Sequence, residues 1–194
     1  MEPIQNITFV TSNQKKVDEV KSILKGVQIS MLSKEQTIEL PEIQDTIEEI
    51  SKNKCLYAVN KIQRPCIVED TGLYFNALNG LPGPYIKHFL DGCKNEGLWK
   101  MLQAFDDKSA YAVCAVSFTI GPDQPVHTFV GISQGKIVEP RGPTSFGWDP
   151  IFEPKEFPGK TFAEMTSSDK NRFSHCRRAF DKLKQFLFDN KLVQ

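Results

Sequence analysis

Apolar positions change their period twice within the first thirty residues. Ile7, Phe9 and Val10 end a buried strand, and Thr11, Ser12 and Asn13 follow as a polar turn of cap-type side chains. Val17, Val20, Ile23 and Leu24 then recur at helical spacing. Val27–Leu32 reads as a second strand, and a helix is predicted over roughly Gln44–Ile62. Pro65 precedes CIVED, a short buried strand, after which Thr71 and Gly72 turn the chain and LYFNAL either continues the strand or forms a hairpin arm. GLPGPYIKHFL is a stiff turn into a helix with Pro84 near its first position, and Glu96–Phe105 predicts another helix. Ser109–Ile120 and Val126–Ile132 alternate like an antiparallel pair joined by GPDQP, and Ile137 and Val138 fit a further short strand. Lys170–Phe188 reads as one long amphipathic helix with Phe173, Cys176, Phe180, Leu183 and Leu187 on its apolar face. Interleaved strands and helices of this kind predict an α/β fold whose mixed sheet is parallel in part and antiparallel in part.

Composition narrows the function classes. The 194 residues suit one domain over 1–194, with room for two lobes. Lys+Arg and Asp+Glu both number 24, so the zero net charge gives no support to a general basic surface for nucleic acid. Five cysteines at 55, 66, 93, 114 and 176 have no metal-knuckle spacing, which points to reduced thiols in a cytoplasmic protein. The start, MEPIQNITFV, lacks the basic-then-apolar pattern of a signal peptide. The longest apolar stretch, around Ala110–Ile120, is too short to span a bilayer, so no membrane partner is expected.

Several residues break their local pattern. Lys15 and Lys16 fall in a first helical turn, beside the positive end of the macrodipole, where a cation is worth a few tenths to about 1 kcal/mol less than a carboxylate. They are either two solvated lysines or part of an anion cradle at the carboxyl end of a strand, Thr11–Lys16. Lys54 lies on the apolar stripe of the Gln44–Ile62 helix, as a snorkelling stem or, the favoured reading, as a cation aimed into a cleft. Glu69 and Asp70 close the CIVED strand; adjacent strand residues point to opposite faces, so each carboxylate should find a different partner. Glu39, Glu42 and Asp45 gather around Pro41. Two carboxylates from separate segments beside a phosphate cradle are the usual oxygen ligands of Mg²⁺, though a solvated acidic loop fits the spacing equally. Phe146, Gly147, Trp148 and Asp149 combine stacking surface with an acceptor, as a base pocket or as a tight turn around a core tryptophan. His175 is a surface histidine or a donor to a base carbonyl. No P-loop, G-x-G-x-x-G, H-E-x-x-H or G-x-S-x-G pattern occurs.

In order along the chain, FVTSNQKK, ELPEIQ, VEDTGLYFNALNGLPGPYIK, DKSAYAVC, FGWDPIF, FAEM and DKNRFSH resemble the inosine triphosphate pyrophosphatase family, and the length resembles its eukaryotic type. The resemblance implies an elongated α/β fold with a cleft between two lobes, usually as a homodimer. It implies Mg²⁺-dependent hydrolysis of ITP, dITP and XTP to the monophosphate and pyrophosphate, which would rid the nucleotide pool of deaminated purines; Mn²⁺ is the second metal candidate. Carried over by position, Thr11, Ser12, Asn13, Gln14, Lys15 and Lys16 form the triphosphate cradle. Glu42 and Asp70 are the metal-linked acids, and Lys54 and Lys87 are phosphate-side lysines. Asp70, or Glu69 beside it, with Lys54, carries the catalysis, and Thr71 adjoins the site. Phe146, Gly147, Trp148, Asp149, Lys170 and His175 match base and ribose contacts. Two positions depart from the family pattern: Ser12 replaces a glycine, and Ser174-His175-Cys176 replaces Ser-His-Arg. A pyrophosphatase for another modified nucleotide, and a non-catalytic nucleotide binder, remain the alternatives.

Overall fold

The computed structural model describes residues 3–11, 13–32, 38–144 and 146–193, the side chain of Lys15 excepted. Among the described residues seven strands form one sheet: β1 (Ile7–Phe9), β2 (Ile29–Met31), β3 (Cys66–Phe75), β4 (Pro82–Gly83), β5 (Ser109–Thr119), β6 (His127–Ile137) and β7 (Phe152–Pro154). Their order is β2-β1-β3-β5-β6-β7, with β4 paired to β3 off this path. β1 is parallel to β2, with Ile7 opposite Ile29, and parallel to β3, with Thr8 opposite Cys66. The β3–β4 and β6–β7 pairs are antiparallel. Helices α1 (Gln14–Ile23), α2 (Ile47–Ile62), α3 (Ile86–Lys100), α4 (Ser167–Lys170) and α5 (His175–Asp189) flank the sheet. The mixed α/β architecture expected from the hydrophobic pattern is what the chain adopts. Among the described residues no helix is long and apolar enough to cross a membrane.

The chain divides into two compact units. The first takes the residues up to Asp70, 114–131 and those from Cys176 on. Its main core joins Ile7 and Phe9 of β1, Val17 and Val20 of α1, Phe118 of β5, and Phe180 and Leu183 of α5. A smaller core, with Cys55, Ala58 and Val59 of α2 against Cys66 and Val68 of β3, seats α2. α2 is well delimited: Thr46 caps its start by accepting from the Glu49 N–H, Glu48 and Glu49 complement the dipole, and Gln63 ends it in the left-handed region. Ser51 Oγ reaches the Ala115 carbonyl (3.1 Å) and Ser117 Oγ (2.9 Å), so a buried hydroxyl contact fixes α2 on β5. Lys54 follows one turn later on the same helix. The second unit, 71–113 and 132–175, has its own core of Leu73, Phe75, Leu98, Leu102, Trp148, Phe152 and Phe162.

Several boundaries differ from those read in the sequence. β3 does not end at Asp70 but runs on to Phe75, so Thr71 and Gly72 are strand and not turn. β1 pairs only as far as Phe9 opposite Ile67, and the Val10 N–H still reaches the Ile67 carbonyl (2.9 Å). Glu69 and Asp70 therefore lie just past the end of that parallel pairing, in mid-strand. Pro84 stands ahead of the α3 cap residue Tyr85 rather than in the first turn. α3 absorbs the first half of the Glu96–Phe105 helix, up to Lys100, and is interrupted at Lys94 (φ 58°, ψ −176°). Ile137 closes β6 rather than opening a new strand. The long C-terminal helix is broken into α4 and α5, because Phe173 leaves the stripe to pack in the second unit's core.

Candidate active site

α1 begins without an acid of its own in the first turn. Asn13 Oδ1 accepts from the Lys16 N–H (3.4 Å), and Thr11 Oγ1 accepts from the Asn13 N–H (3.2 Å), so both side chains shape the turn. Gln14 is exposed and donates to Asp18 Oδ1 (2.9 Å). The missing counter-charge comes from β3: Lys16 Nζ pairs with Glu69 Oε2. Burial opposes charge on Lys16, but the Glu69 carboxylate outweighs it and holds the ammonium above its ordinary range. Ser12 lies outside the described residues, as does the side chain of Lys15.

The neighbouring acid takes the other side of β3. Asp70 Oδ1 accepts from Lys54 Nζ at 2.9 Å, and Glu42 Oε2 lies 2.7 Å from the same nitrogen. The Lys54 side chain is 7% exposed, Asp70 20% and Glu42 55%. Burial would lower the Lys54 pKa, yet Asp70 and Glu42 raise it. Burial pushes Asp70 up to about 6; Lys54 works against that shift, while Glu69 and Glu42 reinforce it. Asp70 Oδ2 is buried and has no hydrogen-bond partner among the described residues. A buried carboxylate oxygen without a donor costs free energy unless a cation or a water's proton meets it. Glu42 and Asp70, a hard oxygen pair with one oxygen open, suit a hard divalent cation. Glu69, by contrast, is 3% exposed and committed to Lys16, with Cys114 Sγ donating to its other oxygen (3.7 Å).

The second unit carries the aromatic cluster. Gly147 adopts φ +49°, a left-handed conformation that favours glycine, and so turns the chain between Phe146 and Trp148. Trp148 is 8% exposed and belongs to the core, stacked on His175 (centroids 5.4 Å apart) and edge-on to Phe152. His175, 3% exposed, lies against Phe162 as well (5.9 Å), and its Nδ1 is buried without a partner among the described residues. Lys170 pairs with the buried Asp149 and sits over the rings of Phe146 (4.5 Å) and Phe162 (5.1 Å). Thr71 is a half-buried residue of β3, and Lys87 is exposed in the first turn of α3.

Two groups escaped the sequence reading. Cys114 and Cys176 stand beside Glu69, and no spacing along the chain links positions 69, 114 and 176. Phe162, the aromatic floor for Lys170 and His175, enters the sequence reading only within FAEM and without a role of its own.

Fold and site together define a mixed α/β protein with paired carboxylates and ammonium groups on β3 and its neighbouring helices. A family model described as the Ham1 family matches residues 7–186. An inosine triphosphate pyrophosphatase of Emericella nidulans is 48% identical over 186 residues, which cover 96% of this chain and 98% of that protein. The Staphylococcus aureus Ham1 protein superposes with a TM-score of 0.83 at 30% identity, over 95% of this chain and 99% of its own. A nucleoside-triphosphatase / dITP/XTP pyrophosphatase from Mycobacterium abscessus superposes with a TM-score of 0.70 at 27% identity, over 92% and 98%. The chain belongs to the Ham1 family.

Proposed function

We propose that this protein is a nucleoside triphosphate pyrophosphatase that cleaves ITP, dITP and XTP between the α and β phosphates and so removes deaminated purines from the nucleotide pool. The observation that carries the chemistry is Lys54 held between Glu42 and Asp70, with Asp70 Oδ2 buried and unpartnered. Glu42 and Asp70 would hold Mg²⁺, with Mn²⁺ as the alternative ion. The bound metal supplies Lewis acidity and neutralises phosphate charge.

Two lysines of the first unit are held by acids: Lys16 by Glu69, and Lys54 by Glu42 and Asp70. With Glu42 and Asp70 engaged by a divalent cation, the Lys54 ammonium would be free to turn to the phosphates of the substrate. Lys16 at the start of α1, beside the positive end of the helix dipole, cradles the same polyanion, and Lys15 and Lys87 add positive charge. Asp70, whose pKa burial raises in the metal-free protein, is the carboxylate placed to act as the base. It orients the attacking water and accepts its proton. Glu69, buried and paired, positions Lys16. One base supplies only about 10²–10⁴-fold, so charge stabilisation of the pyrophosphate leaving group carries most of the acceleration.

The residues proposed to read the base are those around His175. His175 presents an unpartnered ring nitrogen that donates to O6 of hypoxanthine or xanthine, and Phe146, Trp148, Asp149 and Lys170 complete the base and ribose contacts. Adenine, with an amino donor at that position, leaves the histidine unpaired. We read the 194 residues as one such domain, acting in the cytoplasm as a homodimer.

The test is a product assay on ITP with and without Mg²⁺. Pyrophosphate and IMP, formed only with the metal, are expected. Release of inorganic phosphate would refute the cleavage position, and tight nucleotide binding without turnover would make the protein a binder.

A further inference from the structure

Glu69 presents its two oxygens to different groups. Oε2 is paired with Lys16 Nζ, whereas Oε1 lies 3.7 Å from Cys114 Sγ. Cys176, the second residue of α5, brings a second sulfur to the same point. The two sulfurs and a Glu69 oxygen all lie within 4.8 Å of one another, and the two thiols are in hydrogen-bond contact. All five cysteines of the chain are thiols.

Three donors from β3, β5 and α5 thus converge. Tetrahedral zinc takes thiolate sulfur at about 2.3 Å and carboxylate oxygen at about 2.0–2.2 Å, which sets neighbouring donors about 3.5–3.8 Å apart. The Glu69–Cys114 separation already has that length, and the others need to contract by at most about 1 Å. Charge also balances. Two thiolates and one carboxylate carry three negative charges, and a divalent ion with the Lys16 ammonium carries three positive ones. Glu69 needs no release from Lys16, because the ion takes the oxygen that now faces the thiol. Cys114 is fully buried and Cys176 half-buried, so the ion and a water as fourth ligand come in past Cys176. Two sulfur donors select a soft ion over Mg²⁺.

We propose that Cys114, Cys176 and Glu69 form a binding site for a soft divalent cation of the zinc class, separate from the oxygen donors Glu42 and Asp70. Binding replaces each thiol proton by a bond to the ion and releases both protons to solvent, with no change of oxidation state.

The test uses the full chain, reduced and freed of metal, with Co²⁺ as the probe. One equivalent of Co²⁺ should give the near-ultraviolet charge-transfer absorption of thiolate ligation. Zn²⁺ should abolish it at stoichiometric concentration, and a large excess of Mg²⁺ should not. Cys114→Ser and Cys176→Ser should each weaken Co²⁺ binding at least tenfold, while Cys93→Ser, on an exposed thiol, leaves it unchanged. Should Cys114→Ser fail to fold, Cys176→Ser decides, and native mass spectrometry counts one zinc per parent chain. Absence of the charge-transfer bands would overturn the proposal, as would bands that persist in Cys176→Ser. So would a Cys114–Cys176 disulfide forming in air in a protein whose reduced form takes up no metal. This site does not depend on the proposed hydrolysis: metal uptake without ITP turnover leaves it standing, and turnover without uptake removes it alone.

Discussion

Lys54 and Asp70 form an ion pair of 2.9 Å in which the acid, not the base, is left incompletely satisfied. Lys54 gains a second carboxylate from Glu42, and both acids raise its pKa. Asp70 has a single ammonium on one oxygen and low-dielectric surroundings on the other, and burial wins, so its pKa moves up to about 6. An arrangement that destabilises an ionised carboxylate is one that a metal ion or a reacting water relieves.

The first prediction concerns Asp70→Asn. Turnover should fall by at least about 10²-fold, the scale of losing one positioned base, while the fold survives. Stability should move the other way. Between about pH 4 and pH 6 the native protein keeps the Asp70 proton and the unfolded chain releases it, so stability falls as pH rises through that window. Above it, ionised Asp70 disfavours the metal-free fold by on the order of 3 kcal/mol at most. Asp70→Asn removes this penalty, and Lys54 keeps Glu42. Thermal melts without metal should show the variant gaining on the parent at pH 7.5 and matching it near pH 4. A near-normal rate would remove Asp70 from the mechanism, and a variant less stable at pH 7.5 would contradict the burial argument.

Lys16 and Glu69 should couple asymmetrically. Lys16→Met leaves a carboxylate that is 3% exposed without its cation, which should cost about 1–3 kcal/mol. Glu69→Gln leaves a lysine that is 29% exposed and can reach water, so its cost should be smaller. The double variant should recover part of the Lys16→Met loss. Urea denaturation of the four proteins gives the coupling directly. Additive losses would show that the pair contributes nothing to stability.

Local chemistry was legible where one segment held all the information. Thr11 and Asn13 ahead of Val17 and Val20 placed the start of α1, and the alternation in CIVED placed Glu69 and Asp70 on opposite sides of a strand. The partners they found were set by the sheet: which acid meets Lys16 depends on β1 and β3 lying side by side, and no spacing along the chain encodes that. The split of the C-terminal helix was hidden for a related reason. Phe173 and Cys176 satisfy one helical stripe on paper, but two hydrophobic cores compete for them, and Phe173 goes to one while Cys176 packs on the other. In the sequence Trp148 is open between a stacking surface and a core tryptophan in a tight turn, and the packing of Phe152, Phe162 and His175 around it favours the second.

His175 offers a test of base selection that spares the packing. Phenylalanine at this position keeps a ring against Trp148 and Phe162 and removes both ring nitrogens. His175→Phe should retain the parent melting temperature to within a few degrees. ITP turnover should drop and the ITP-to-ATP rate ratio should fall about tenfold or more, because a site built to donate to a 6-oxo group discriminates through that donor. An unchanged ratio would show that selection against adenine lies elsewhere.

Cys176 bears on a finer distinction. Guanine shares the 6-oxo group with hypoxanthine and adds an amino donor at carbon 2, so a histidine donor to O6 cannot tell them apart. A guanidinium carries donors only, and a second donor facing it finds no acceptor. The chain departs from the Ser-His-Arg pattern here, and the thiol instead lies within 4.8 Å of Cys114 and Glu69. Arg177, one residue on, is turned by about 100° and pairs with Asp181 (2.6 Å), so it does not stand in for the missing group. Cys176→Arg should therefore raise the ITP-to-GTP rate ratio about tenfold, within the range expected of one misplaced polar contact. Initial rates of pyrophosphate release for parent and variant on the two nucleotides measure it. A ratio that stays level or falls would mean that position 176 takes no part in reading the base.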